Sequence, residues 1–320
     1  MRAMRLHELG QPMTLDEVSQ ANPLPGEVRV KVHTCGINFG DTLIVQGKYQ
    51  EKFDLPFTPG MEICATVDAL GEGVDNLAVG QRIASYSGIG GLGEYSCIPA
   101  ATCVQVPDGM SDVDAAAFLV AYGTSHVALG YKAHLKAGET LLVLGASGGI
   151  GLTAVELGKM MGATVIACAR GAEKLAVAKA VGADHLIDSS TQDIREVVKS
   201  LGGADVVYDP IGGDQFKAAL RACNPEARII PVGFASGEVP QIPANILLVK
   251  NITVIGFYWG SYAKWKPSVL TDSFAQLFKW YAEGRLKPHV SHVLPLEQAN
   301  EALQLLIDRK ATGKVVVQVS

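Results

Sequence analysis

A glycine-rich turn between an apolar strand and a helix is the feature that most constrains how this chain folds. It lies in the run LLVLGASGGIGLTAVELGKMMGATVIACAR, residues 141–170, where Gly145, Gly148 and Gly151 separate the strand from the helix. Small residues let backbone N–H groups approach a pyrophosphate, and the positive end of the helix dipole favours its charge. Because a second strand follows at the expected distance, the run predicts a dinucleotide-binding unit rather than a simple tight turn.

The backbone of this turn provides the predicted pyrophosphate contacts. Gly151 lets the helix pack closely on the strand, and the residues from Ser147 to Ile150 supply N–H groups. The predicted contacts in the turn are Gly145, Ser147, Gly148, Gly149, Ile150 and Gly151.

The end of the second strand indicates which dinucleotide binds. An acidic residue for the ribose of NAD is expected about 20 residues after the glycines. Arg170 stands there instead, Lys174 follows one helical turn later, and the nearest acid, Glu173, belongs to the next helix. Basic side chains pair with a 2′-phosphate and an acid repels it, so we expect NADP(H). The alternative is that both basic side chains are ordinary surface charges.

Strands and helices alternate on both sides of this turn. The apolar segments TLLVLG, TVIACA, DHLID, DVVYD, ARIIPVG and ITVIGF alternate with helical segments at 149–161, 172–181, 191–201 and 214–222. This order predicts an α/β fold with a doubly wound, six-stranded parallel sheet that is buried on both faces. We therefore predict a Rossmann-type nucleotide-binding domain over residues 119–259.

The rest of the chain is mostly β-structure. EVRVKVHTCGIN, EICATVDALG and EYSCIPAATCVQVP are predicted as short strands separated by glycine and proline turns, a pattern typical of a barrel-like domain. An alanine-rich segment, residues 112–133, is predicted to be helical with a break at Gly123.

The C-terminal segments are predicted to return to this β-rich domain. After ITVIGF come a helix at 268–283, the strand VSHVLP, a helix at 295–309 and the strand KVVVQV. These elements lie outside the six-strand unit. We therefore expect residues 260–320 to complete the domain that residues 1–118 begin.

Composition excludes several classes of protein. The formal charge of −5 at pH 7 and the scattered basic residues disfavour nucleic-acid binding. No window holds the ~18 uninterrupted apolar residues of a membrane helix. The start MRAMRLHELG lacks the apolar stretch of a signal peptide, so we expect a cytoplasmic protein. The six cysteines form no CxxC pair, which favours reduced thiols over structural zinc.

Several segments together resemble a known family. LGASGGIG, GATVIACARGAEKLAVAKAVGADHLID, VVYDPIGG, VGFASGEVP and CGINFGDTLIVQGKY are similar to the quinone oxidoreductase branch of the medium-chain dehydrogenase/reductases, the group that contains zeta-crystallin. The resemblance spans nearly the whole chain in the expected order. It implies a GroES-like catalytic domain, a Rossmann domain, a cleft between them and NADPH dependence. It also implies a homodimer joined through the last strands, NITVIGF here.

The positions at which zinc-dependent relatives bind their metal carry other residues here. Those relatives use a cysteine near Asn38 and a Gly-His-Glu segment, in which Met61 replaces the histidine. Neither residue is a plausible zinc ligand, and Cys35 and Cys64 lie near these positions but not on them, so we expect no metal. Without zinc to polarise a carbonyl, a conjugated acceptor is easier to reduce, because its charge delocalises onto oxygen and needs only hydrogen-bond donors.

The resemblance implies two catalytic residues, Asn38 and Tyr49. Asn38 matches a contact on the nicotinamide side of the cleft, where its amide can donate to a substrate oxygen or order the ribose; the alternative is a turn asparagine. Tyr49, in QGKY, matches a tyrosine proposed as the proton donor of related enoyl reductases; the alternative is a packing tyrosine. Asp41 is expected to tie its loop to the backbone.

Further cofactor contacts are implied along the chain. They are Thr124, Gly233, Phe234, Ser236, Phe257, Trp259 and Lys314. The group 233–236 is expected to border the nicotinamide carboxamide. The two aromatic residues cover the nicotinamide end or, alternatively, form a cluster at a dimer edge. Lys314, in ATGKVVV, reaches the cofactor or the cleft.

One departure from the family bears on the 2′-phosphate site. A tyrosine that often helps to hold this phosphate is replaced by Ser189. The site is therefore expected to depend more heavily on Arg170 and Lys174, with Ser190 as a further contact.

These features predict an NADPH-dependent, zinc-independent reductase that transfers hydride to quinones or other α,β-unsaturated carbonyl compounds. The enzyme alternative is an enoyl-thioester reductase, whose CoA substrate needs a basic mouth; Lys264, Lys266 and Arg309-Lys310 are the candidates. The non-enzyme alternative is a cofactor-binding protein with a structural or RNA-binding role. The acidic net charge and the intact motifs disfavour that alternative.

Overall fold

The computed structural model describes residues 1–320. Its strands are β1 Arg2–Arg5, β2 Thr14–Glu17, β3 Glu27–Ile37, β4 Glu62–Leu70, β5 Arg82–Tyr86, β6 Tyr95–Pro99, β7 Cys103–Gln105, β8 Thr140–Leu144, β9 Thr164–Ala169, β10 His185–Asp188, β11 Ala204–Asp209, β12 Cys223–Pro231, β13 Thr253–Val254, β14 Val290–Pro295 and β15 Lys314–Gln318. Its α-helices are α1 Phe39–Val45, α2 Asp112–Ala116, α3 Leu119–His126, α4 Gly149–Met160, α5 Ala172–Ala180, α6 Ile194–Ser200, α7 Gly213–Ala222, α8 Ala244–Lys250, α9 Tyr262–Trp265, α10 Ser268–Ala282 and α11 Ala299–Ile307. No helix combines the length and the apolar character needed to cross a bilayer.

Contacts divide the chain into two compact units. The first contains Met1–Val120 and Phe278–Ser320, and the second contains Ala121–Leu277. The segment after β13 belongs to the second unit because Trp259 packs on Phe274 of α10, with ring centroids 6.1 Å apart. The domain boundary predicted between residues 259 and 260 would place Trp259 and Phe274 in different domains.

The first unit is built on a seven-stranded sheet. Its strand order is β14-β15-β3-β4-β5-β7, and β6 pairs with β3. Within β3, Val28, Val30 and Val32 are fully buried, as the alternating sequence predicts for a strand with one face on a core. The C-terminal β15 is antiparallel to β3, so the last strand of the chain completes the sheet that the first ones begin.

The second unit contains the predicted six-stranded parallel sheet. Its order is β10-β9-β8-β11-β12-β13, and every neighbouring pair is parallel. The four residues from Leu141 to Leu144 in β8 are all fully buried, which explains their continuous apolar run. The α/β fold class predicted from the sequence is confirmed.

The predicted helix break at Gly123 is wrong. Gly123 lies inside α3, and the interruption falls instead at Ala117 and Phe118, between α2 and α3. A Cβ atom at Gly123 would lie 3.0 Å from ring atoms of both Trp259 and Phe274. The glycine is there because two aromatic rings approach the helix, not because the helix ends.

Other predicted elements are shorter than expected. The ITVIGF strand is reduced to β13, which pairs with β12 through Thr253 and Val254 and forms the edge of the sheet. The helix predicted at 191–201 begins only after Asp193, whose carboxylate accepts the N–H of Glu196 and caps it.

Candidate cofactor and catalytic sites

The glycine-rich turn has no room for larger side chains at two of its positions. Gly145 has φ +58°, and a Cβ there would lie 2.7 Å from Cδ1 of Ile211. A Cβ at Gly151 would lie 2.2 Å from the carbonyl oxygen of Gly145. Both glycines are therefore required for the close passage of strand β8 into helix α4.

The turn leaves a specific set of backbone donors for a ligand. The N–H of Gly148 donates to the carbonyl of Gly145 at 3.0 Å, and the N–H of Leu152 donates to the carbonyl of Gly148 at 2.8 Å. The N–H groups of Gly149, Ile150 and Gly151 lie in the first turn of α4, where no intrahelical acceptor exists. These three donors are available to bind an anion. The N–H of Gly148, predicted as a contact, instead forms a hydrogen bond within the turn.

A buried hydroxyl network supports this turn from behind. The hydroxyl of Ser125 donates to the carbonyl of Ile150 at 2.8 Å and lies 2.8 Å from the Thr153 hydroxyl and 3.1 Å from the Tyr208 hydroxyl. Thr124, the predicted cofactor contact, precedes Ser125 on α3 and is 6% exposed. Sequence reasoning missed Ser125, although it stands in the same TSH segment.

The basic turn after β9 contains an unpredicted acid. Arg170 is exposed and Lys174 is half-buried one turn into α5. Asp188, at the end of the neighbouring β10, accepts hydrogen bonds on Oδ1 from the Gly171 N–H at 3.1 Å and the Ser190 hydroxyl at 2.6 Å. The Ser190 bonds, with that from Gly171, hold the pKa of Asp188 below its usual value. Ser190, predicted as a phosphate contact, is therefore engaged by this carboxylate.

Asp209 is a second residue that sequence reasoning missed. It ends β11, is fully buried, and its Oδ1 accepts the N–H groups of Ile211 at 2.7 Å and Gly212 at 2.9 Å. Its Oδ2 is buried with no hydrogen-bond partner. Burial raises its pKa to about 6, against the opposing effect of those two N–H groups. The signal in the sequence was an aspartate directly after an apolar strand, in VVYDPIGG.

The predicted carboxamide contacts lie beside this loop. The N–H of Ala235 donates to the carbonyl of Pro210 at 3.0 Å, and that of Ser236 donates to the carbonyl of Ile211 at 2.9 Å. Phe234 is 41% exposed. The loop after β12 is thus fastened to the loop after β11, and Gly233, Phe234 and Ser236 are brought together at the carboxyl ends of two adjacent strands.

The two predicted aromatic contacts belong to an aromatic cluster of the second unit. Trp259 is 6% exposed and packs on Phe274. The Phe257 ring lies 6.1 Å from the ring of Tyr262. His126 on the adjacent α3 is hydrogen-bonded to Ser273 at 2.8 Å, and burial lowers its pKa, as expected for a packed histidine.

A buried ion pair dominates the candidate catalytic region of the first unit. The ammonium of Lys314 lies 2.8 Å from Oε2 of Glu62 and donates to Oδ1 of Asn38 at 2.6 Å. Glu62 is fully buried and Lys314 is 5% exposed. The other Glu62 oxygen accepts the N–H of Val120 at 2.9 Å. Every oxygen of Glu62 is therefore matched by a donor, as a buried charge requires.

Asn38 is fixed by this ion pair. Its amide nitrogen donates to the carbonyl of Gly36 at 3.1 Å and to Oε2 of Glu62 at 2.9 Å. Lys314 has only donors and an ionised carboxylate has only acceptors, so only one orientation of the amide satisfies both. The hydrogen-bonding capacity of the amide is used inside the network, which argues against direct donation to a substrate from this arrangement.

Tyr49 lies in the loop that follows α1 and packs beside Gly40 of that helix. A Cβ at Gly40 would lie 2.8 Å from Cε of Met61 and 3.3 Å from Cε2 of Tyr49, so all three residues meet. Tyr49 packs against the core of the unit and is partly exposed. The Tyr49 ring thus lies beside the start of the short helix α1, whose N-cap is Asn38.

Asp41 ties the start of α1 to the backbone, as expected. Its Oδ2 accepts the N–H of Asn38 at 2.8 Å. Asp41 is fully buried, and burial raises its pKa to about 7, although the Asn38 N–H and the charge of Lys314 both oppose this rise.

The thiols near the expected metal positions are buried. Burial raises the pKa of Cys35 well above its ordinary value and that of Cys64 to about 12, so both are protonated at neutral pH. Met61 is 2% exposed within the core. No three histidine, cysteine or acidic side chains form a group that could hold a metal ion.

Two family models match the chain. The alcohol dehydrogenase GroES-like domain matches residues 24–108, and the zinc-binding dehydrogenase model matches residues 149–275. The first covers β3 to β7, and the second begins at the first residue of α4 and covers β9 to β13.

Relatives match over the whole chain. A quinone oxidoreductase-like protein 2 homolog from Nematostella vectensis is 43% identical over 99% of this chain and 88% of its own length. The Escherichia coli quinone oxidoreductase complexed with NADPH superposes with a TM-score of 0.94 at 27% identity, over 100% of both chains. The quinone oxidoreductase from Thermus thermophilus, solved also as its NADPH complex, gives a TM-score of 0.87 at 31% identity, again over 100% of both.

Proposed function

Because this chain belongs to the zinc-free quinone oxidoreductase branch of the medium-chain dehydrogenase/reductase superfamily, we propose that it is an NADPH-dependent reductase of quinones or other α,β-unsaturated carbonyl compounds. The observation that carries the choice of cofactor is the pair Arg170 and Lys174 after β9, beside a glycine-rich turn with free first-turn N–H groups. Two similar proteins were solved with NADPH, which supports the same choice.

The turn has the donors that a dinucleotide needs. Glycine at positions 145 and 151 allows β8 to pass closely into α4, and the N–H groups of Gly149 and Ile150 would bind the pyrophosphate. Arg170 and Lys174 would bind the 2′-phosphate. Asp188 places a negative charge nearby, but hydrogen bonds from Gly171 and Ser190 disperse it. When bound, NADPH supplies the hydride.

In the first unit we assign different roles to the two predicted catalytic residues. The hydroxyl of Tyr49 donates the proton that a reduced conjugated acceptor needs. Asn38 is a positioning residue, because Lys314 and Glu62 hold its amide and its backbone N–H holds Asp41. The network fixes the start of α1, and α1 leads to the loop that carries Tyr49.

A substrate panel tests the proposed function. Purified protein is assayed with NADPH or NADH against quinones, enones and crotonyl-CoA, and we expect turnover of a quinone or enone with NADPH preferred. Tyr49→Phe should lower kcat by about tenfold or more while the KM for NADPH stays within about twofold. Preference for crotonyl-CoA would replace the proposal with enoyl-thioester reduction. Absence of turnover with every acceptor would refute it.

Two candidate cations of the enoyl-CoA alternative already have partners. The ammonium of Lys266 donates to the hydroxyl of Tyr131 at 2.9 Å, and that of Lys310 lies 3.3 Å from Asp308. Tyr131 thus occupies a donor of Lys266, and Asp308 offsets the charge of Lys310, both of which a CoA phosphate would need. Quinones and simple enones carry no phosphate, so this arrangement favours them.

We further propose a homodimer that forms through β13. This strand pairs only with β12 and leaves its other edge open, which is a template for a second strand. Light scattering in solution tests this: a mass of one chain, 33.8 kDa, at micromolar concentration would contradict it.

A further inference from the structure

The second unit contains a pocket lined by four basic side chains. It is an open pocket of about 330 Å³, and Arg195, Lys199, Arg221 and Lys250 contribute to its wall. The remaining lining residues are Asn245, Ile246 and Val249, so no carboxylate faces the pocket. A concentration of positive charge is unexpected in a chain whose formal charge is −5.

The pocket lies away from the candidate cofactor site. Helices α6, α7 and α8 end at Ser200, Ala222 and Lys250, directly before β11, β12 and β13 begin. The glycine-rich turn and Arg170 instead follow the carboxyl ends of β8 and β9. Because all six strands are parallel, the ends of these helices lie at the amino ends of the strands, whereas the glycine-rich turn lies at the carboxyl ends.

Helix dipoles account for only part of this cluster. Lys199, Arg221 and Lys250 lie in the last turns of their helices, where a cation is favourable. Lys250 also donates to the carbonyls of Arg221 at 3.0 Å and Cys223 at 2.8 Å, which fixes its ammonium in the wall.

Arg195 and the apolar wall point to a ligand. Arg195 lies in the first turn of α6, where the dipole disfavours a cation, and its Nε forms an ion pair with Glu196 at 3.7 Å, too long for a hydrogen bond. The four like charges around this pocket repel one another, and an anion bound between them would relieve that repulsion. Val249, 76% exposed, adds an apolar surface beside the charges.

We propose that this pocket binds a small phosphorylated molecule. Two guanidinium groups can bind phosphate oxygens in pairs, while two ammonium groups act as point charges. The volume is at the small end of ligand pockets and suits a single phosphate or pyrophosphate group with a short organic part, which Ile246 and Val249 would contact.

Calorimetric titration with inorganic pyrophosphate at constant ionic strength tests the proposal. We expect saturable binding to the wild-type chain and at least tenfold weaker binding to the double variant K199A/R221A. The variant K136A/K279A loses the same charge from exposed positions elsewhere and should bind within about twofold of wild type. Thermal unfolding of K199A/R221A should show a loss of no more than about 2 kcal/mol, because both altered side chains are exposed and only their favourable interactions with the helix dipoles are removed.

A further variant separates this pocket from the cofactor turn. Arg170→Ala should leave pyrophosphate binding unchanged if the anion occupies the pocket. Weakening by Arg170→Ala with no effect of K199A/R221A would place the anion at the cofactor site, beside the basic turn after β9, and overturn the proposal. Absence of saturable binding, or equal weakening by K136A/K279A, would overturn it as well.

Discussion

Replacement of Lys314 by methionine gives the most direct test of the buried network. Methionine keeps an unbranched side chain of similar length but carries no charge and no hydrogen-bond donor. The change deletes the 2.8 Å contact with Glu62 and the 2.6 Å bond to Asn38. It leaves a fully buried carboxylate without its counter-charge.

The expected loss of stability follows from these contacts. A hydrogen bond to a charged group contributes about 1.5–3 kcal/mol, and two of them are lost. Breaking a buried ion pair by removing one partner destabilises by about 3–5 kcal/mol, which agrees with that sum. The double variant Glu62→Gln/Lys314→Met carries no unpaired buried charge from this pair. We therefore expect it to lose at least about 2 kcal/mol less than the sum of the two single variants.

Urea unfolding monitored by circular dichroism measures these differences. The free energy of unfolding is obtained for wild type, both single variants and the double variant, with Lys279→Met as a control at an exposed lysine. The control should change stability by no more than about 0.5 kcal/mol. A loss below about 1 kcal/mol in Lys314→Met, or additive effects in the double variant, would refute the view that Glu62 depends on this ammonium.

Three further outcomes are expected. The double variant Arg170→Ala/Lys174→Ala should raise the KM for NADPH by about tenfold or more and that for NADH by less than about twofold in steady-state assays; equal effects would contradict the 2′-phosphate assignment. Asp209, whose pKa burial raises to about 6 from 3.8, binds more protons folded than unfolded, so this residue should contribute a loss of up to about 3 kcal/mol of wild-type stability as pH rises from 4 to 7. Asp209→Asn should lack this one contribution, so the difference in unfolding free energy between variant and wild type should change by that amount between the two pH values in denaturant titrations; a difference that does not change with pH would count against it. Gly123→Val should lower stability by at least about 2 kcal/mol in thermal unfolding, whereas Gly130→Ala, whose Cβ would meet only Met161 at 3.7 Å, should not.

The sequence by itself determined the fold class and the outline of the nucleotide-binding unit. The periodicity of apolar residues and the spacing of glycines are local properties of the sequence, and β8, α4 and β9 follow one another within about thirty residues. The continuous apolar run of β8 predicted burial on both faces, and the structure has it. The six-stranded parallel sheet was predictable for the same reason, since crossover helices leave few alternatives.

Only the tertiary structure decided which polar groups are free and which are engaged. Asn38, Glu62 and Lys314 are far apart in sequence, so their network arises from the pairing of β15 with β3 and of β3 with β4. Asp188 reached the basic turn because β10 lies beside β9, an adjacency that no local pattern encodes. The sequence predicted a helix break at Gly123, but the glycine makes room for the rings of Trp259 and Phe274, which come from distant segments. Local periodicity fixes elements, whereas long-range pairing fixes the partners of individual side chains, and the chemistry of a site depends on those partners.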